Sequence, residues 1–232
     1  MLPLIFSSSI MNSMIKNFLR NTFFPLLLLT ILGSSSDQWI TSLMESELLS
    51  PQGASGWIWF YGLLSLTLNL LYPLLTTLVV LSGLQGQKII PFIRQFSEAA
   101  VIEQMRAWGK SMAWAFLLII PGLIRLLGYL LVPFVVCLNP DYQRGQIDAL
   151  SESRKIFRRS PWKITFLFVL IAGVVPTLMT SFDEYKVLWK TPAPAFALCV
   201  VEMLLNICFI WGLWTLYRKG STDEPAISME RH

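Results

Sequence analysis

The chain has 232 residues, of which 54% are hydrophobic and only 14% are charged, and its net charge is +4. Soluble domains are nearer 25% charged, so this composition, with apolar residues in long runs, excludes an ordinary soluble domain and predicts a membrane protein. The one histidine is the last residue and the three cysteines show no CxxC spacing, so we expect no metal site, disulfide or histidine-based catalysis.

The first predicted span covers residues 18–33 and contains Pro25. No basic segment followed by a cleavage site precedes it, so we expect no cleaved signal peptide. Residues 34–56 are predicted to be a polar loop with a short surface helix; they carry three carboxylates and no Lys or Arg. Because basic residues collect on the cytoplasmic side, this loop is expected on the opposite side of the membrane.

The second predicted span is residues 57–84. Trp57 and Tyr61 belong to an aromatic belt at its start, and Pro73 is expected to kink it. Asn69 is polar at mid-span. We expect its amide to form a hydrogen bond to a neighbouring helix rather than to contact a substrate.

Residues 111–138 are apolar over about the length of a bilayer, but Pro121 and Gly122 interrupt the run and Arg125 follows. Lipid tolerates neither a broken helix nor a buried charge without partners, so we expect other segments to pack around this stretch. It could form a re-entrant hairpin of two short helices, two full spans or one kinked span.

Amphipathic interfacial helices are predicted on both sides of this stretch, at about 96–109 and 140–159. Asn139 and Pro140 have the chemistry of a helix start. Four basic residues near the end of the second helix are expected to contact anionic lipid headgroups, although a solvated charged helix fits equally well. They are Arg154, Lys155, Arg158 and Arg159. Two further spans follow, at about 162–182 and 195–217.

The distribution of Lys and Arg favours one topology. If residues 111–138 return to the side from which they enter, fifteen basic residues lie on the cytoplasmic side and two on the other. If the stretch crosses once, the two sides carry nearly equal numbers, which contradicts the positive-inside rule. We therefore predict an all-α, polytopic membrane helix bundle that forms a single domain over residues 1–232. It would have four full spans, a hairpin broken at Pro121–Gly122, six apolar helical segments and both termini in the cytoplasm.

Two ionisable residues fall at depth in this arrangement, Arg125 and Glu202. Antiparallel packing of the hairpin and the last span would let them pair, and Asn206 lies one turn beyond Glu202 on the same helical face. With Asn69, these residues form a predicted intramembrane polar network. It would either fix the helix register or serve an ion, proton or substrate path.

The sequence PGLIRLLGYLLVP at Pro121–Pro133, the polar turn Asn139–Asp141 and ALSESRKIFRRSPWKI at Ala149–Ile164 resemble a pattern of bacterial inner-membrane proteins. These are the YciC-like proteins and the related membrane domain found beside glycerophosphodiester phosphodiesterases. The matching residues are Pro121, Gly122, Arg125, Ala149, Leu150, Ser153, Arg154 and Trp162. Arg159 replaces the small residue that usually ends the family's helix. The resemblance implies about six apolar helical segments in a bacterial inner membrane, and it assigns no reaction or catalytic residue.

These observations favour a non-enzymatic integral membrane protein, namely a scaffold, an assembly factor or a subunit of a membrane complex, without a cofactor. Its expected partners are the lipid bilayer, anionic headgroups and other membrane-protein subunits, and not nucleic acid. The alternative is a small-solute or lipid transporter or channel component that uses the broken hairpin with Arg125 and Glu202. A cavity lined by Asn69, Arg125, Glu202 and Asn206 would favour transport, and a closely packed core would favour the scaffold.

Overall fold

The computed structural model describes residues 8–50, 55–185 and 190–222, which form helices joined by short turns with no strand among them. The predicted all-α class is confirmed. The α-helices are Ser8–Leu48 (α1), Trp57–Leu84 (α2), Ile89–Leu117 (α3), Ile119–Gly128 (α4), Val132–Leu138 (α5), Pro140–Gln143 (α6), Ala149–Arg159 (α7), Pro161–Phe168 (α8), Val175–Met179 (α9) and Pro192–Thr222 (α10). A π-helical segment, Val169–Val174, joins α8 to α9, and a 3-10 segment, Thr180–Tyr185, follows α9.

Four helical stretches in the described residues are long and apolar enough to cross a membrane. They are Trp57–Leu84, Ile119–Leu138, Pro161–Leu178 and Pro192–Ser221. The first has the bounds predicted from the sequence, and the last contains the predicted span 195–217. The protein therefore has the helices of a membrane protein. The predicted first span, 18–33, lies inside α1, and its crossing of a membrane stays a prediction.

The predicted polar loop at 34–56 is wrong in its first part, because α1 continues as one helix to Leu48. Residues 34–50 contain no Pro or Gly, so nothing in the backbone stops the helix after the apolar run ends. The side chains of Ser34 and Gln38 interact with each other one turn apart, at 3.4 Å. The polar composition of residues 34–48 was therefore not sufficient to predict a loop.

The two predicted interfacial helices also differ from the structure. The predicted helix 96–109 is part of α3, which runs without a break from Ile89 into the predicted hairpin. The predicted helix 140–159 is two helices, α6 and α7. Between them Gly145 has a φ of 72°, a left-handed conformation that ends α6. The helix start at Asn139 is confirmed, since its side chain accepts a hydrogen bond from the Asp141 N–H at 2.9 Å.

The described residues divide into two compact units. The first contains the chain through Ser97 together with Met179–Asn206, and the second contains Glu98–Leu178 together with the chain from Ile207 onward. Both α3 and α10 contribute residues to each unit. Because two helices are shared in this way, the division does not decide the prediction of a single domain.

In the first unit, α1 packs along α2. The helices approach closely at glycines, since a Cβ added to Gly33 would lie 2.6 Å from a ring carbon of Tyr72. The Tyr72 hydroxyl in turn donates to the Thr30 hydroxyl at 3.4 Å. Near the other end of α2, Gly83 faces Thr22 and Phe18, and a Cβ there would lie 2.7 Å from the Phe18 ring. Small residues thus set the spacing of this helix pair.

We expect Gly83→Leu to destabilise the α1–α2 pair by about 2 kcal/mol, because the new side chain would overlap Thr22 and Phe18. Gly62→Leu is the matched control in the same helix, since a Cβ at Gly62 meets nothing within 4 Å. Thermal unfolding of the purified protein in detergent measures both. Equal melting temperatures for the two variants would contradict this packing.

In the second unit, α5 forms the centre. All of its residues from Val132 to Cys137 are buried, and α7 and α6 pack against it. The Phe134 ring contacts the Tyr217 ring of α10, with centroids 6.1 Å apart. The most apolar 18-residue stretch of Ile119–Leu138 is 56% buried, a larger share than in the other three candidate spans.

Candidate anion-binding site

The helical hairpin turns at Leu118. This residue has φ −156° and ψ 127°, an extended conformation between the end of α3 and the start of α4. The break is therefore not at Pro121–Gly122, as predicted, but three residues earlier. Pro121 lies in the first turn of α4, where a proline costs little because the N–H it lacks would have no helical partner.

Beyond the break, α4 folds back against the end of α3. A Cβ added to Gly122 would lie 2.6 Å from the Ala115 Cα, whereas seven residues of continuous helix span about 10 Å. The Arg125 guanidinium lies 4.9 Å from the centre of the Trp114 ring, in a cation–π contact. The glycine of the predicted break thus permits the close approach of the two arms, although the turn itself lies elsewhere.

The turn of the hairpin carries five consecutive large apolar residues, Phe116–Ile120, which we call the hairpin tip. All five side chains are exposed, and the exposed fraction reaches 90% at Phe116 and 80% at Ile119. An exposed apolar patch of this kind marks a membrane or protein contact.

A cavity of about 330 Å³ lies between the hairpin and the start of α7, and we call it the basic cleft. Its lining residues are Lys110, Trp114, Arg125, Tyr129, Asp148, Leu150, Ser151 and Arg154. Arg125 is held there by the Trp114 ring and by Tyr129, whose hydroxyl accepts from the Arg125 Nη1 at 3.4 Å. The charge that the sequence placed at depth thus shares a cavity with Lys110 and Arg154.

The basic cleft has an excess of positive charge. None of Lys110, Arg125 and Arg154 forms an ion pair with another residue in the described part of the chain. The one carboxylate in the lining, Asp148, already pairs with Arg106 at 3.2 Å. Three cations of this kind provide the donors that a phosphate or carboxylate ligand needs.

The backbone around Gly128 positions one wall of the basic cleft. The buried Ser153 hydroxyl of α7 donates to the Gly128 carbonyl at 2.7 Å and ties α7 to the end of α4. A Cβ added to Gly128 would lie 3.2 Å from the Arg154 Cγ. The stem of Arg154 therefore runs over Gly128. Ser153, Arg154 and Gly128 lie in the stretches that carry the family resemblance.

A second group of polar residues holds α3, α6 and α7 together, and sequence reasoning missed it. Glu103 is only 7% exposed, and both of its carboxylate oxygens accept from the Arg106 Nη1 at 2.8 Å. The Tyr142 hydroxyl donates to Glu103 at 3.4 Å, and Asp148 caps α7 by accepting from the Ser151 N–H at 3.0 Å. We call Glu103, Arg106, Tyr142 and Asp148 the Glu103 cluster.

Two pKa values reflect these contacts. Burial raises the pKa of Tyr142, and the neighbouring Glu103 carboxylate raises it further. The hydrogen bonds and charge of Glu103 raise the pKa of Arg106. Tyr142 therefore stays neutral and Arg106 stays charged. The spacing of Glu103 and Arg106, three residues apart on one helix, was the available sequence signal.

The four basic residues predicted to contact anionic lipid lie on α7. With Ser151 they line a second cavity of about 410 Å³. Lys155 pairs with Glu152 at 3.7 Å, and Arg159 donates to the Gly220 carbonyl of α10. Arg158 is exposed, and Arg154 lines both cavities. The structure thus places all four on one helix, and their contact with lipid stays a prediction.

The predicted intramembrane polar network divides between the two units. Asn69, Glu202 and Asn206 belong to the first unit and Arg125 to the second, so the pairing of Arg125 with Glu202 stays a prediction. The expectation for Asn69 is corrected. Its amide donates to the Ser65 carbonyl at 3.0 Å and approaches the Ser65 hydroxyl at 3.3 Å, so it is bonded one turn back in α2 rather than to a neighbouring helix.

In the described part of the chain no group of His, Cys, Asp and Glu side chains could hold a metal ion. Comparisons of the sequence with protein-family models and curated proteins, and with solved structures, give no match.

Proposed function

We propose that this chain is a non-enzymatic integral membrane protein of a bacterial inner membrane, a scaffold, an assembly factor or a subunit of a membrane complex. We propose further that the helical hairpin enters the bilayer from the cytoplasmic side and returns to it. The single observation that supports this best is the exposed apolar hairpin tip with the basic cleft at its base. The resemblance to the YciC-like proteins supports the same assignment.

The dimensions of the hairpin agree with a shallow entry. Lys110 precedes Leu117 by seven residues, or about 10 Å of helix, whereas the hydrocarbon core is about 30 Å thick. A tip that dips by this amount leaves Lys110 and Arg125 near the headgroups, because Arg125 folds back to the level of Trp114. This position avoids the free-energy cost of placing a charged arginine at the centre of the bilayer.

The remaining apolar helices support a role in assembly. In the other three candidate spans, little of the most apolar 18-residue stretch is buried within the protein. The buried share is 28% in Trp57–Leu84, 6% in Pro161–Leu178 and 22% in Pro192–Ser221. Such surfaces contact lipid or other subunits in the membrane.

The position of the hairpin tip can be measured with an environment-sensitive fluorophore on a single cysteine, Ile119→Cys, in the full chain reconstituted into liposomes. The native cysteines would first be replaced. We expect blue-shifted emission that lipid-attached quenchers at shallow depth reduce. A fluorophore at Arg144→Cys, in the turn after α6, is the control and should emit as in water. Emission from position 119 like that from position 144 would contradict the proposed entry.

Transport is the second candidate, and the discontinuity at Leu118 favours it, since broken helices line many transport sites. Of the four residues expected to line a transport cavity, Arg125 lines the basic cleft. A transport path would make a cysteine introduced at Asn206 reactive toward small water-soluble thiol reagents. The scaffold predicts no reaction at this position, because it would lie within the bilayer.

A further inference from the structure

We propose that the basic cleft binds the phosphate headgroup of an anionic lipid, with Lys110, Arg125 and Arg154 as the residues that hold the phosphate. This inference rests on the entry of the hairpin into the bilayer proposed above. It adds a discrete ligand site, whereas the sequence predicted only a general attraction of α7 to anionic lipid.

The excess positive charge of the basic cleft favours the binding of an anion. Three cations come from three different helices, α3, α4 and α7, and line one cavity of about 330 Å³. The nearby carboxylates of Asp148 and Glu103 share one cation, Arg106, so they leave one negative charge against the three positive charges of the cleft. Like charges gathered in one place repel one another, and a bound anion removes that cost.

The chemistry of the three side chains fits phosphate. The two guanidinium groups can each offer two parallel N–H donors to phosphate oxygens, and the lysine adds a compact charge. Arg125 is oriented beforehand by the Trp114 ring and the Tyr129 hydroxyl, so less conformational freedom is lost when it binds. Three cations match a phosphomonoester or a pair of linked phosphates better than one phosphodiester.

The surroundings favour a lipid over a soluble phosphate. The basic cleft opens at the base of the hairpin, and the apolar tip begins two residues after Trp114. A molecule with a phosphate and acyl chains could place the phosphate in the cleft and its chains along the tip. Trp114 is also the type of residue that prefers the level of the headgroups.

The test measures lipid binding to the purified full chain by native mass spectrometry from detergent. Phosphatidic acid, with a phosphomonoester, is compared with phosphatidylcholine, and inorganic phosphate is the soluble competitor. The variants are Arg125→Gln, Arg154→Gln and Lys110→Gln, and the matched control is Arg144→Gln, which removes the same charge from the exposed turn after α6, outside both cavities. We expect about tenfold weaker binding of phosphatidic acid in each cleft variant and less than a twofold change in the control.

Two outcomes would overturn the inference. If Arg144→Gln weakens binding as much as Arg154→Gln, the attraction is a general effect of the protein's positive charge and the cleft is not a site. If millimolar inorganic phosphate displaces phosphatidic acid completely, the ligand is a free phosphate and not a lipid. Should Arg125→Gln fail to fold, Lys110→Gln and Arg154→Gln provide the same comparison. If the lipid-binding test fails but the fluorophore at position 119 still reports a lipid environment, the lipid site is contradicted and the proposed function is not.

Discussion

Gly122→Leu is expected to prevent the hairpin from closing and to lower the free energy of unfolding by about 3 kcal/mol, the upper end of the usual cost of overpacking. A Cβ at this position would lie 2.6 Å from the Cα and 2.7 Å from the N of Ala115. Because these are backbone atoms of α3, they cannot move aside as the end of a flexible side chain can. The arms would have to separate, and Arg125 would lose its contact with Trp114.

Gly109→Leu is the matched control for this variant. It lies in the same hairpin arm, α3, and a Cβ there meets nothing within 4 Å. Both substitutions replace a helical glycine with a better helix former, so the control should be unchanged or slightly more stable. Thermal unfolding in detergent, followed by tryptophan fluorescence, measures the difference. A Gly122→Leu protein as stable as Gly109→Leu would contradict the folded-back hairpin.

The second large effect is expected at the Glu103 cluster. Arg106→Gln would leave the nearly buried Glu103 carboxylate without its cationic partner and should cost about 3 kcal/mol. The double variant with Glu103→Gln should recover much of this loss, because the buried charge is then also removed. Chemical or thermal unfolding of the two variants and the double variant gives the coupling between the residues.

Arg144→Gln is the control for the Glu103 cluster. Arg144 pairs with Asp141 three residues earlier at 3.6 Å, and the side chains of both are more than half exposed. An exposed pair of this kind contributes about 0.5 kcal/mol. If Arg106→Gln lowers the free energy of unfolding no more than Arg144→Gln does, the burial of Glu103 does not contribute to stability.

The sequence predicted the helical class, the bounds of α2 and the helix start at Asn139, because these follow from local signals. Apolar runs, aromatic residues at a span end and capping residues act within a few positions. The position of the hairpin break was not predictable in the same way. Leucine, the residue at position 118, does not normally break a helix, and Pro121 is compatible with the first turn of α4.

The candidate site depends on contacts that no local pattern contains. The number of residues between Arg125 and the ends of the apolar run predicts that Arg125 lies at depth in the membrane, and this depth stays a prediction. Folding of α4 onto α3 returns it to Trp114, and α7, about 30 residues later, supplies Arg154. The Glu103 cluster likewise joins residues 39 positions apart, at the Tyr142–Glu103 bond. Such juxtapositions arise from tertiary packing and not from periodicity.

The measurement that tests the central claim most directly is cysteine accessibility in intact cells. Single cysteines, Arg144→Cys and Lys190→Cys, would be introduced after replacement of Cys137, Cys199 and Cys208. A membrane-impermeant thiol reagent should label position 190 and leave position 144 unlabelled until the cells are opened, because in the proposed topology the hairpin returns the chain to the cytoplasmic side. Labelling of position 144 from outside would mean that the chain crosses the membrane at the hairpin. The returning hairpin, and the lipid site at its base, would then be contradicted.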